Sequence, residues 1–342
     1  MEKKKSCGKT YTDKDWRSGK SLSGCTMYIL ENGLMCDVSF KVGPEQKIIR
    51  AHKLILATRS RVFYTMFEGS IPETDNIVIS DVNDDTFNLF LRWIYTDQME
   101  VSSKNVKEML YISNKYMFYS GTDACEKFLK QSLTSSDAII NLQTSVEYHL
   151  LDLQCASLTY IDQHPSKCLE NEKALDIDTE CMKLIVESEE FNWTETEICK
   201  FAIKWANKKC LLSHEDPSGK NTRRLLGSLL YLIRFPLVDK QYFTNEIASV
   251  GLLNNAEIIS VYQSFFGKEN KFFSTKERLK IKNVEHEGFS SKSSVLPRFS
   301  SIRDRKSRSR SRSRSRSSPR FISRSRSPPP RRRYKLPEKK CN

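Results

Sequence analysis

The chain of 342 residues is short of the residue types from which catalytic and metal sites are built. Its five histidines (His52, His149, His164, His214 and His286) are dispersed, and none stands with a cysteine at zinc-site spacing. Its ten cysteines include no Cys-x-x-Cys pair. Several fall on expected helix faces, where cysteine behaves as a small hydrophobe. That usage fits reduced thiols, and so the cytoplasm or the nucleus. Glycine is sparse, with 12 residues. No Gly-x-Gly-x-x-Gly follows an expected strand, and Pro217-Ser218-Gly219-Lys220-Asn221 lacks P-loop spacing. Cys155 with His164, or Cys210 with His214, comes nearest to a nucleophile and base, and a buried cysteine with an unrelated histidine accounts for either pair. The expectation is no enzyme, no cofactor and no metal.

Long apolar runs are missing too. The most apolar stretch, Leu225–Val238, is interrupted by Arg234 and is too short to span a bilayer. Met1-Glu2-Lys3-Lys4-Lys5 has no apolar core behind it, so no secretory signal is expected. Negative charge is scarce at one end only. Residues 268–342 hold 25 Lys and Arg against 6 Asp and Glu, a net +19 within a chain total of +14, which leaves residues 1–267 at −5. The basic excess belongs to the tail.

What is present is organised around residues 36–98. Cys36-Asp37-Val38-Ser39-Phe40-Lys41-Val42 alternates apolar and polar residues as a half-buried strand does. After Gly43-Pro44, Lys47–Ala51 reads as a second strand. His52–Ala57 opens a helix, and Ser60 is placed to cap another carrying Phe63, Met66 and Phe67. Gly69 is expected to end that helix in a left-handed turn. Asn76–Ser80 reads as a third strand, and Phe87, Phe90, Leu91 and Ile94 form one face of a further helix.

This order, with the strings Cys36–Phe40, Arg50–Ala57, Ser60-Arg61-Val62-Phe63 and Ile94-Tyr95-Thr96, resembles the BTB (POZ) domain. Two further helical patterns, through Val106, Met109, Leu110 and Ser113 and through Ala124, Phe128 and Leu129, complete such a unit. From Ser135 the pattern is wholly helical. Phe201–Ala206 and Leu232–Leu237 make the region resemble a BACK domain. The likeness is to the subfamily that continues into a PHR β-sandwich, although no run of alternating strands follows Phe265-Phe266. The expected fold is an α+β BTB/POZ domain, a small sheet with a helical cluster, followed by an all-α BACK array. The boundaries fall at 1–25 for a flexible arm, 26–134 for BTB, 135–266 for BACK and 267–342 for a disordered Arg/Ser-rich tail.

The resemblance implies a homodimeric substrate adaptor that docks cullin-3 and recruits a protein target for ubiquitination. BTB domains that recruit cullin-3 often carry a hydrophobic-x-Glu motif in the loop before the third strand, and Ile71-Pro72-Glu73 matches it. Tyr95 falls where the family places another contact. For dimerisation the resemblance points to Met27, Ile29 and Leu30 in the N-terminal arm and to Asp37 and Lys53 as a charged pair, and because Leu54, Ile55 and Leu56 cannot all face inward on one helix, Leu54 and Ile55 are expected there too. An exposed salt bridge accounts for Asp37 with Lys53 equally well.

The Arg-Ser alternation at Ser307–Ser317 and the run through Arg333 support weak, salt-sensitive contacts to RNA or acidic proteins. Ser309, Ser311, Ser313, Ser315, Ser317, Ser325 and Ser327 are candidate phosphorylation sites; each phosphate adds about −1.5 to −2, and modifying Ser309, Ser311, Ser313, Ser315 and Ser317 together would reverse the local charge. On this reading the alternative function is a nuclear scaffold in RNA processing or transcription. No membrane partner is expected.

Overall fold

The structure, a computed structural model, describes residues 15–73 and 77–280. The seven candidate phosphorylation serines from Ser309 to Ser327 lie outside the described residues.

Strands β1 (Val38–Val42) and β2 (Lys47–Ala51) pair antiparallel, with Phe40 opposite Ile49. Their alternation puts Phe40, Val42, Ile49 and Ala51 inside. Strand β3 (Ile77–Ile79) lies parallel to β1 on its other side, giving the order β2-β1-β3. Helices α1 (Leu22–Glu31), α2 (Lys53–Arg59), α3 (Arg61–Glu68), α4 (Asp84–Thr96), α5 (Val106–Lys115) and α6 (Tyr119–Gln131) complete the unit. The Ser60 side chain accepts the Phe63 amide at 3.2 Å, as its position before an apolar run predicts. The α4 face expected from spacing, Phe87, Phe90, Leu91 and Ile94, is fully buried. Phe63 stacks on Tyr116 of the α5–α6 turn with centroids 4.4 Å apart, tying α3 to α5.

Two expectations change here. The N-terminal arm is ordered within its last residues: Ser21 caps α1, and Trp16 stacks on Tyr28 at 4.7 Å. Met27 and Leu30 pack on the core of their own chain, and the Thr26 hydroxyl bonds the Tyr95 carbonyl at 3.0 Å. The arm therefore has a partner without a second copy. Gly69 is not left-handed; its φ is −71°. A side chain is excluded there for another reason, because a Cβ would lie 2.2 Å from the Thr65 carbonyl oxygen.

The second unit is helical throughout. It runs through α7 (Ala138–Tyr148), α8 (Leu151–Gln163), α9 (Pro165–Leu169), α10 (Thr179–Glu187) and α11 (Glu195–Leu212). It closes with α12 (Gly219–Leu226), the short α13 (Lys240–Tyr242) and α14 (Asn255–Ser264). Asp178 caps α10 through the Cys181 amide at 2.7 Å, as expected. Ile198, Phe201, Ala202 and Trp205 line the inner face of α11, and the Trp205 indole donates to the Ile177 carbonyl at 2.9 Å. The two cores interlock: Leu150 and Leu153 belong to the first, and the Leu153 amide bonds Glu126 of α6 at 2.9 Å. The packed chain also runs past residue 266, since Phe273 is buried in the second core. The expected start of the tail at 267 moves to no earlier than 281, because Phe273 and Arg278 have partners that composition does not reveal.

Candidate partner-docking site

The loop that carries the hydrophobic-x-Glu motif is held at both ends. The Gly69 amide bonds the Thr65 carbonyl at 2.9 Å, and the Glu73 amide returns to the Met66 carbonyl at 2.9 Å. Between these bonds Ile71 stands 88% exposed, with Pro72 and Glu73 also exposed. An isoleucine in a pinned loop gains nothing from the fold by standing in water, and a proline beside it limits the backbone freedom lost on docking.

A polar group lies on the adjoining elements. The Tyr111 hydroxyl of α5 donates to the Asp81 carboxylate, and Lys115 Nζ reaches the same group at 2.6 Å. The Lys115 hydrogen bond, followed by that of Tyr111, holds the Asp81 carboxyl below its ordinary range. Tyr116 is buried, and desolvation raises its hydroxyl pKa, with the charges of Asp81 and Glu73 adding to the effect. Tyr64, Met117 and Tyr119 on the neighbouring elements are exposed as well. The loop offers what a protein partner can grip: an exposed apolar anchor with an exposed carboxylate two residues on.

Tyr95 is not part of this surface. It is 5% exposed, and its hydroxyl accepts the His52 amide at 2.9 Å and meets His52 Nδ1 at 2.8 Å. His52 Nε2 in turn bonds the Leu34 carbonyl at 2.7 Å, so His52 is the fold residue its place between strand and helix suggests. Tyr95→Phe leaves two buried partners unsatisfied. We expect it to cost about 1–3 kcal/mol in urea unfolding while leaving affinity at the Ile71 loop unchanged.

The residues expected at a dimer surface divide. Leu54 is 74% exposed on α2, and Ile55 is half-buried on the core. Met27 and Leu30 face their own chain, and Ile29 is half-buried outside that cluster. Asp37 does meet Lys53, but through the backbone: its carboxylate accepts the Lys53 amide at 2.7 Å and so caps α2, where His52 supplies no side-chain cap. The Lys53 ammonium lies over the Phe67 ring at 5.6 Å. Asp81, Tyr111 and Lys115 escaped the sequence reading. Asp81 and Lys115 stand 34 positions apart, and no local pattern joins them.

Among the described residues, no group of three or more His, Cys, Asp or Glu could hold a metal ion, and no helix is long and apolar enough to cross a membrane. Burial pushes the Cys168 thiol up to about 11, and the Cys125 and Cys181 thiols up to about 12, away from reactive thiolate.

A small sheet under a helical cluster, presenting an anchored loop and followed by a helical array, defines a protein-interaction module. Comparison with known proteins gives the class its name. The BTB/POZ domain family model matches residues 28–133, and the BACK model (BTB And C-terminal Kelch) matches residues 139–248. BTB/POZ domain-containing protein 6 of Xenopus tropicalis is 32% identical over 237 residues, 68% of this chain and 45% of that protein. Human BTB/POZ domain-containing protein 3 is 33% identical over 237 residues, with the same shares. The chain belongs to the proteins that join a BTB/POZ domain to a BACK domain. It spans less than half the length of these curated relatives.

Proposed function

We propose that this chain is a homodimeric adaptor that docks cullin-3 through its BTB domain and brings a protein target to the ligase, contributing no catalytic residue of its own. The observation that carries the reading is Ile71, 88% exposed on a loop fixed by two backbone hydrogen bonds and flanked by Glu73. In this family BTB domains mediate self-association and cullin-3 binding. The exposed Leu54 and Met35, 74% and 71% exposed, supply apolar surface for a second copy. An adaptor of this kind works in the cytoplasm or the nucleus.

The test uses the full chain with the N-terminal domain of cullin-3. Sedimentation should show a dimer, and titration calorimetry should show saturable binding at micromolar or lower concentration. A concentration-independent monomer would remove the dimer from the reading. Wild-type protein with no measurable cullin-3 affinity would remove the adaptor role. The nuclear scaffold, resting on the Arg-Ser alternation at Ser307–Ser317, would then be the better account.

A further inference from the structure

Residues 267–280 leave the last helix and run back across the BACK domain. Gly267 turns the chain at φ +83°. The Asn270 side chain accepts the amides of Phe272 at 2.9 Å and Phe273 at 2.8 Å. Phe273 meets Phe235 edge-on, with centroids 4.9 Å apart. Further on, the Arg234 guanidinium donates to the Lys276 carbonyl and to Glu189, both at 2.7 Å. Leu279 pairs with Glu190 in a single parallel bridge: its amide bonds the Glu189 carbonyl at 2.8 Å, and its carbonyl accepts the Phe191 amide at 3.0 Å.

Arg278 sits at the centre of these contacts, its side chain only 4% exposed. Nε donates to Glu195 at 2.9 Å, and Nη1 donates to the Val186 carbonyl at 2.7 Å and to that of Ser188. Glu195 is itself buried and also accepts the Arg234 amide at 2.9 Å. Removing a guanidinium from water costs several kcal/mol unless its donors are met, and this socket meets them with one carboxylate and the carbonyls of Val186, Ser188 and Leu232. A passive connection needs no such socket.

We propose that residues 268–280 are an anchoring strap, with Arg278 as the positioning residue, that fixes where the basic C-terminal segment leaves the BACK domain. The exit lies beside Trp193, where Lys280 lines two cavities of about 500 and 240 Å³. The Arg-Ser alternation at Ser307–Ser317 lies 27 to 37 positions beyond Lys280, so even a fully extended chain ties it within about 130 Å of that point. Any phosphate-bearing partner bound there is held within that radius of one defined place on the domain. The proposal does not depend on cullin-3 docking.

The experiment uses the full chain with spin labels at the exposed Cys155 and at Lys280→Cys, the other accessible cysteines replaced by serine and labelled chains diluted with unlabelled ones. The wild-type strap should give a narrow distance distribution and slow hydrogen exchange at the Phe191 and Leu279 amides. Arg278→Ala should broaden the distribution and speed those two amides at least tenfold. Arg278→Lys should not restore them, because an ammonium cannot fork between carboxylate and carbonyls. Should Arg278→Ala unfold the BACK helices, Arg278→Lys decides the matter, since it keeps the charge and the aliphatic stem and removes only the fork. A narrow distribution, or unchanged exchange, in a folded Arg278→Ala or Arg278→Lys overturns the proposal.

Discussion

Ile71→Asp should weaken cullin-3 binding by at least roughly 2 kcal/mol, a loss of about thirtyfold in affinity. The side chain is 88% exposed, so the free protein loses no core contact, and the whole effect falls on the complex. Aspartate in that place brings a charge that must be desolvated in an apolar groove. Glu73→Ala should act in the same direction. Its amide bond to the Met66 carbonyl belongs to the backbone and survives the change. The double variant should keep the wild-type melting temperature and remain dimeric, since Leu54 lies on a different helix. Calorimetry with cullin-3 beside thermal unfolding separates the two effects. Normal affinity in the folded double variant would take the loop out of the docking site.

The second large effect falls on stability itself, and it is a gain. Asp162 lies at the end of α8, 7% exposed, with Oδ2 accepting the Ser188 hydroxyl at 2.8 Å and Oδ1 without a hydrogen-bond partner. Burial pushes its carboxyl up to about 7; the Ser188 bond works against this, Glu190 adds to it, and Arg278 opposes it. A folded value above the unfolded one means that the native state holds the proton longer. The group's contribution is therefore most favourable below pH 4 and is lost as pH rises toward 7. The displacement from 3.8 to about 7 corresponds to on the order of 4 kcal/mol. Asp162→Asn should accordingly stabilise the protein at pH 8, by up to that amount, and change little at pH 4. Urea unfolding of both proteins across pH 4–8 checks it. Parallel stability curves would show that Asp162 titrates normally.

Short-range physics made much of the first unit legible. Ser60 reads as a cap because a small hydroxyl precedes an apolar run, and the α4 face reads as buried because its residues recur at helical spacing. The Ile71 loop was legible only through resemblance, since three residues in a polar loop carry no periodicity. Tyr95 was misplaced for a physical reason. It occupies a helix position that spacing alone leaves ambiguous, and the bond to His52 that draws it inward spans 43 positions. The strap was misread for a different reason. Lys268–Lys280 is polar and charged, and averaged composition reads such a stretch as solvated, whereas Arg278 is buried by partners at least 83 positions away in the cases of Glu195, Ser188 and Val186. Composition cannot register a socket assembled from carbonyl groups.

The sheet order has a kinetic consequence. β1 and β2 are joined by a short turn and can pair within microseconds, but β3 pairs with β1 between Phe40–Ile77 and Val42–Ile79, each pair 37 positions apart. Until α2 and α3 have formed and closed that loop, the free side of β1 stands unpaired. A nascent chain in that interval presents an apolar strand edge to its neighbours. Loop closure then sets how long the edge stays open, and conditions that slow α2 and α3 should raise aggregation during refolding before they lower the stability of the finished domain.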